Sequence, residues 1–194
     1  MKPLASIHAD GLQVSDVAVR RYSMRQYRAL AKVFHWLTAG LVVLMVSSGV
    51  LMKQLGGGSV ADTLFSLHKL TGALTLLLVL LRVGYRIGAR EPGWRTNSHR
   101  RPTLHWILYG VVILVPLLGW AGISDYGARA IFFGYSLPAI WPEGAGYSDL
   151  LFSMHGYLAF GLLALVAVHI GVALQDYMMR ARADGAAPEA DEAP

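Results

Sequence analysis

Four apolar stretches, each long enough to cross a membrane, restrict this chain to very few folds: Val33–Met52, Leu64–Ile87, Leu104–Ile123 and Leu150–Leu174. A hydrocarbon layer of ~30 Å takes about 20 helical residues at ~1.5 Å each. Inside that layer every backbone N–H and C=O needs a partner from its own segment, which a helix supplies and a lone strand does not. Each stretch is bounded by Gly, Pro or charged residues, the expected stop signals. Pro116 falls inside the third and predicts a kink that neighbouring helices can absorb. The expected fold is an all-α membrane protein, a bundle of four transmembrane helices. Composition agrees, since only 15% of residues are charged against ~25% in soluble domains.

Lys and Arg give the orientation. Lys2, Arg20, Arg21, Arg25, Arg28 and Lys32 precede the first stretch; Arg86, Arg90, Arg95, Arg100 and Arg101 follow the second; Arg180 and Arg182 follow the fourth. The other two loops carry only Lys53 and Arg129. The positive-inside rule then puts both termini and the middle loop on the cytoplasmic side. The net charge of +5 is spread beside the apolar stretches, which reads as anchoring to the lipid bilayer and not as a nucleic-acid surface. With no cysteine, disulfides, thiolate haem attachment and cysteine-ligated iron–sulfur clusters are excluded.

Residues 1–23 are poorly patterned and read as a disordered or mis-annotated tail, with Met24, opening MRQYRALAKVFHW, as the expected translation start. Residues 24–182 form the four-helix domain, and 183–194 an acidic, disordered tail. No leader h-region is present in the first thirty residues. The outer loop Ser124–Asp149 is apolar yet broken by Gly and Pro. It reads as a re-entrant or interfacial flap over the outer end of the bundle.

Histidines supply the chemistry. His155 and His169 are fourteen residues apart on one stretch, about four turns, so both rings share a helix face roughly 21 Å apart. The helix directions place His68 and His155 at an outer level and His35 and His169 at an inner one. Facing imidazoles at one depth are what a low-spin haem iron needs as axial ligands. Gly72, one turn below His68, and Gly49, fourteen residues after His35 and so at the outer level, leave room for a macrocycle. Arg82, fourteen residues after His68, lies at the inner level, where a haem propionate would match its planar fork. His105 also lies at the inner level and by depth alone competes with His35 and His169 as a ligand. His8 and His99 read as solvated, and Lys69 and Arg129 as solvated rim charges.

The segments AKVFHWL, LHKLTG, LHWILYG and SMHGYLAFGLLALVAVHIGVALQDY, with FFGYSLP, Arg82 and Arg86, resemble the bacterial cytochrome b-561 family over roughly Tyr22–Arg182. Those are small four-helix membrane proteins with two haems b. The resemblance implies an inner haem on His35 and His169, an outer haem on His68 and His155, and His105 as a non-ligand near a propionate or a quinone. It also implies electron exchange with ubiquinone or another membrane quinone or quinol, and a periplasmic donor, superoxide in one family activity. Lys69, directly after an outer ligand, departs from the uncharged residue expected there. A haem-bearing anchor of a larger dehydrogenase is a further reading. A proton-coupled transporter is disfavoured, because no acidic residue lies deep in a span and no inverted repeat is visible. A homodimer is left open.

Overall fold

The computed structural model describes residues 4–88 and 102–185, with side chains from Ala29 to Arg182 apart from Arg86 and Pro102. The remaining residues of the basic middle loop, with His99, and the tail from residue 186 lie outside the described residues, as does the side chain of His8. Four long helices make up the fold: α1 (Leu4–Leu55), α2 (Ser59–Gly88), α3 (Pro102–Tyr126) and α4 (Ser148–Gly185). Each contains a candidate membrane span, respectively Ala29–Leu55, Ser59–Tyr85, Thr103–Tyr126 and Ser148–Arg182. The spans outrun the apolar stretches because turn chemistry, not hydropathy, ends the helices. α1 stops where Gly56 (φ +73°) and Gly58 (φ +99°) adopt left-handed conformations open to glycine at little cost. Asp62 then lies in the first turn of α2, where its charge suits the helix dipole.

In the order α1–α2–α3–α4, each helix packs on the next. α2 and α3 carry most of the buried positions, among them Leu76, Val79, Val115 and Ile123. None of the apolar window of α1 is buried, and only 6% of that of α4. Leu37, Val43, Leu77, Leu81 and Ile170 are exposed, as on helices whose solvent is lipid. Buried hydroxyls are satisfied within their own helices: Thr71 donates to Leu67 O at 2.7 Å and Thr75 to Thr71 O at 2.7 Å. The bundle is a multi-pass membrane architecture whose centre is hollow. A cavity of about 600 Å³ lies among all four helices where a side-chain core would otherwise be.

The outer loop is shorter than expected, because α3 continues through Tyr126 and keeps Ser124 and Asp125 helical and buried. Between Gly127 and Tyr147 the chain forms one 3-10 turn, Phe132–Gly134, and an isolated antiparallel bridge, Ala130 to Ser136.

Candidate functional site

His68 on α2 and His155 on α4 both line the central cavity. Their ring centres are 6.0 Å apart with planes at 81°. Each ring is fixed from behind by its Nδ1. His68 Nδ1 lies 3.0 Å from Met45 O, and His155 Nδ1 lies 2.8 Å from Val115 O. A carbonyl only accepts, so both Nδ1 atoms carry the proton and both Nε2 atoms present a free lone pair. That is the tautomer a metal requires, oriented by the second contact that metal-binding histidines usually have.

The same short-range pattern builds both seats. In each, a backbone carbonyl at position i takes the Nδ1–H and a glycine at i+4 makes room for the ring: Met45 with Gly49 on α1, and Val115 with Gly119 on α3. A Cβ at Gly49 would lie 3.1 Å from His68 Cε1, and one at Gly119 would lie 3.0 Å from His155 Nδ1. Ser48 Oγ adds a contact of 3.2 Å to His68 Nδ1 while donating to Met45 O. Pro116, which has no N–H and crowds the preceding turn, follows the carbonyl that holds His155.

Gly49 therefore packs directly against the His68 ring. Gly72 stands one step behind, where a Cβ would meet Met45 Cε at 3.1 Å. Its missing side chain lets Met45, whose carbonyl orients His68, settle against α2. Gly119 is a site residue that the histidine pattern alone does not pick out. A signal for it exists: it lies fourteen residues after His105, as Gly49 does after His35.

At the inner level three histidines meet. His169 has His35 at 6.2 Å (planes at 62°) on one side and His105 at 5.3 Å (87°) on another, between ring centres. Arg82 is within electrostatic reach of both His35 and His169, and its guanidinium stacks over Tyr109 at 5.6 Å. Among the described residues no carboxylate pairs with Arg82.

Residues 26–180 match the family described as Prokaryotic cytochrome b561. The chain belongs to that family. Two relatives agree. Cytochrome b561 homolog 2 of Escherichia coli (strain K12) is 24% identical over 79% of this chain and 86% of its own length. Probable superoxide oxidase CybB of Yersinia pestis is 26% identical over 78% of this chain and 92% of its own length. Membership of the b561 family implies haem b. The outer level fits that group on chemistry and space. Two imidazoles 6.0 Å apart, each with Nδ1 on a backbone carbonyl, face a cavity with a mainly apolar lining.

Lys69 and Arg129 are not solvated rim charges. Lys69 Nζ donates to Ala128 O at 3.0 Å and to Ala130 O, and lies 4.4 Å from the Phe65 ring centre. Arg129 pairs with Glu143 at 3.2 Å. Both cations are engaged by the outer loop, because Tyr126 ends α3 beside that part of α2. Lys69→Met should free the loop root without emptying the histidine sites. Amide exchange at Ile131 and Leu137 is expected to quicken while haem content stays unchanged.

Proposed function

We propose that this b561-family protein is a di-haem b cytochrome of the bacterial inner membrane, moving electrons between the membrane quinone pool and a reactant at the outer face, with both termini cytoplasmic. The observation that carries the proposal is the outer pair, His68 and His155, two rings 6.0 Å apart whose Nδ1 atoms both rest on backbone carbonyls across an apolar cavity. When bound, haem supplies a one-electron ferrous–ferric couple. The chain's own residues do the rest. His68 and His155 would hold the group through Nε2, and their Nδ1 contacts with Met45 O and Val115 O would raise ligand basicity and keep the rings from rotating. The mainly apolar lining excludes water and, with the identity of the ligands, would tune the potential of the bound group. At the inner level His35 and His169 are the proposed ligands, supported by a 6.2 Å separation close to that of the outer pair. His105, closer to His169 at 5.3 Å, and Arg82 are the proposed neighbours of a propionate or quinone.

Purified protein is expected to hold two haems b per chain by pyridine haemochrome assay. His35→Ala and His169→Ala should each lose the inner haem, whereas His105→Ala should keep both. Loss of the inner haem in His105→Ala together with its retention in His35→Ala would move the ligand assignment to His105. Protein without haem would end the reading altogether.

The Yersinia pestis relative, named a probable superoxide oxidase, supports a second reading, in which superoxide is the reactant oxidised at the outer face and ubiquinone is the proposed acceptor. Saturable superoxide consumption by proteoliposomes, coupled to ubiquinone reduction, separates this enzyme from a plain electron relay. Consumption no faster than in empty liposomes would leave the relay.

A further inference from the structure

Phe133 is 96% exposed and holds a left-handed backbone (φ 59°, ψ 27°), a conformation that bulky residues rarely adopt. It sits at the tip of a stretch of unusual composition: from Ala130 to Pro142 no residue carries a charge. The two charges that bracket the stretch, Arg129 and Glu143, close on each other at 3.2 Å. A loop made for water would not need its only charges tied together at its root.

Backbone pairing points the same way. Within the stretch Ile131 N donates to Tyr135 O (2.8 Å), Tyr135 N to Phe132 O (3.3 Å) and Leu137 N to Arg129 O (3.0 Å). Ile140 N donates to Ser124 Oγ (3.3 Å), Trp120 Nε1 donates to Pro138 O (2.8 Å), and Lys69 takes the carbonyls of Ala128 and Ala130. These bonds satisfy backbone groups that flank the tip, a requirement for non-helical backbone close to lipid.

Depth decides between lipid and water. The Lys69 ammonium that holds the loop root lies beside Phe65, six residues below the start of α2, which is ~9 Å along the helix. The 27-residue span of α2 is roughly 40 Å long, so ~5 Å projects beyond a ~30 Å hydrocarbon layer at either end. The loop root is thus at the hydrocarbon edge. Tyr126, Tyr135, Trp141 and Tyr147 are exposed at the same end of the bundle, as in an interfacial aromatic belt.

We propose that the tip Phe132–Tyr135 is a membrane-interface anchor, seating the Phe133 ring in the phospholipid leaflet on the side where α2 and α4 begin. The anchor holds the loop against the bundle end that contains His68 and His155. This inference rests on the four membrane spans and is independent of which histidines bind iron.

The chain has no cysteine, so Phe133→Cys gives a single labelling site in the full-length protein. A polarity-sensitive fluorophore there, in phosphatidylcholine–phosphatidylglycerol vesicles, is compared with the same label at Gly57→Cys in the exposed α1–α2 turn. Expected at position 133 are blue-shifted emission, quenching by spin-labelled lipid and loss of iodide quenching; at position 57 iodide should quench freely. Iodide quenching at 133 equal to that at 57 would place the tip in water and overturn the anchor. Shielding from both quenchers would mean that protein covers it, and would equally overturn it. Should Phe133→Cys not yield monodisperse protein, the label goes to Tyr135→Cys, 70% exposed, where lipid quenching supports the anchor and iodide quenching or double shielding overturns it.

Discussion

Alanine at His68 and alanine at His155 are expected to delete the same haem, leaving one of two, with the surviving haem unchanged in its spectrum and midpoint potential. The two residues lie on different helices, 87 positions apart, and share no sequence context. What they share is one cavity and one ring-to-ring distance, 6.0 Å. Removing either imidazole would leave the group held by one histidine alone, in a cavity lined mainly by apolar side chains. The effect should be a loss of the group and not a shift in its affinity, and a double variant should lose no more than either single one. Haemochrome quantitation with redox titration of both variants checks this. Loss of different haems, or survival of both, would break the outer pairing.

A complementary test leaves the histidines in place. Ser48→Ala removes one contact to His68 Nδ1, at 3.2 Å, while Met45 O at 3.0 Å remains. The expected outcome is retention of both haems, since the carbonyl alone keeps the tautomer.

Much of this architecture is legible in the sequence because a bilayer turns sequence into depth. Once four helices and their directions are assigned, His68 and His155 share a level without any knowledge of packing, and so do His35 and His169. Gly49 falls on the same ruler. The parts that escape are those where depth says nothing about rotation or partner. His35 and His105 have equal depth, and only the separations of 6.2 and 5.3 Å from His169 distinguish them. Lys69 has the composition of a rim charge, but its side chain is long enough to reach backbone carbonyls of a loop about sixty residues away in sequence. Gly72 and Gly49 look alike in the sequence. One makes room for Met45 behind the His68 ring and the other for the ring itself. The start of α2, the end of α3 and the start of α4 fall a few residues beyond the apolar stretches because Ser59, Ser124, Asp125 and Ser148 are polar yet helical, and hydropathy counts them as loop. α1 begins at Leu4, far ahead of Val33, in a segment whose polar residues give hydropathy nothing to read.

Gly119→Val should empty the outer site as thoroughly as a ligand substitution, although it changes no coordinating atom. A glycine inside a helix costs about 1 kcal/mol against alanine, so replacing it should favour α3 if nothing stood in the way. Here a Cβ would meet His155 Nδ1 at 3.0 Å and Cε1 at 3.1 Å, and the imidazole cannot retreat without giving up its 2.8 Å contact with Val115 O. Losing an orienting contact of this kind typically lowers metal affinity about 10–100-fold, and a branched side chain adds direct overlap with the ring. Gly119→Ala should give the lower end of that range and Gly119→Val loss of the outer haem. Gly161→Ala on α4, where a Cβ meets nothing within 4 Å, should leave both haems in place. Haem content and circular dichroism measured on the same samples separate the two causes: haem lost with helicity kept places the effect at the histidine seat. Equal haem loss in Gly161→Ala would instead mean that any added side chain destabilises the bundle, and the glycine seat would have no special role.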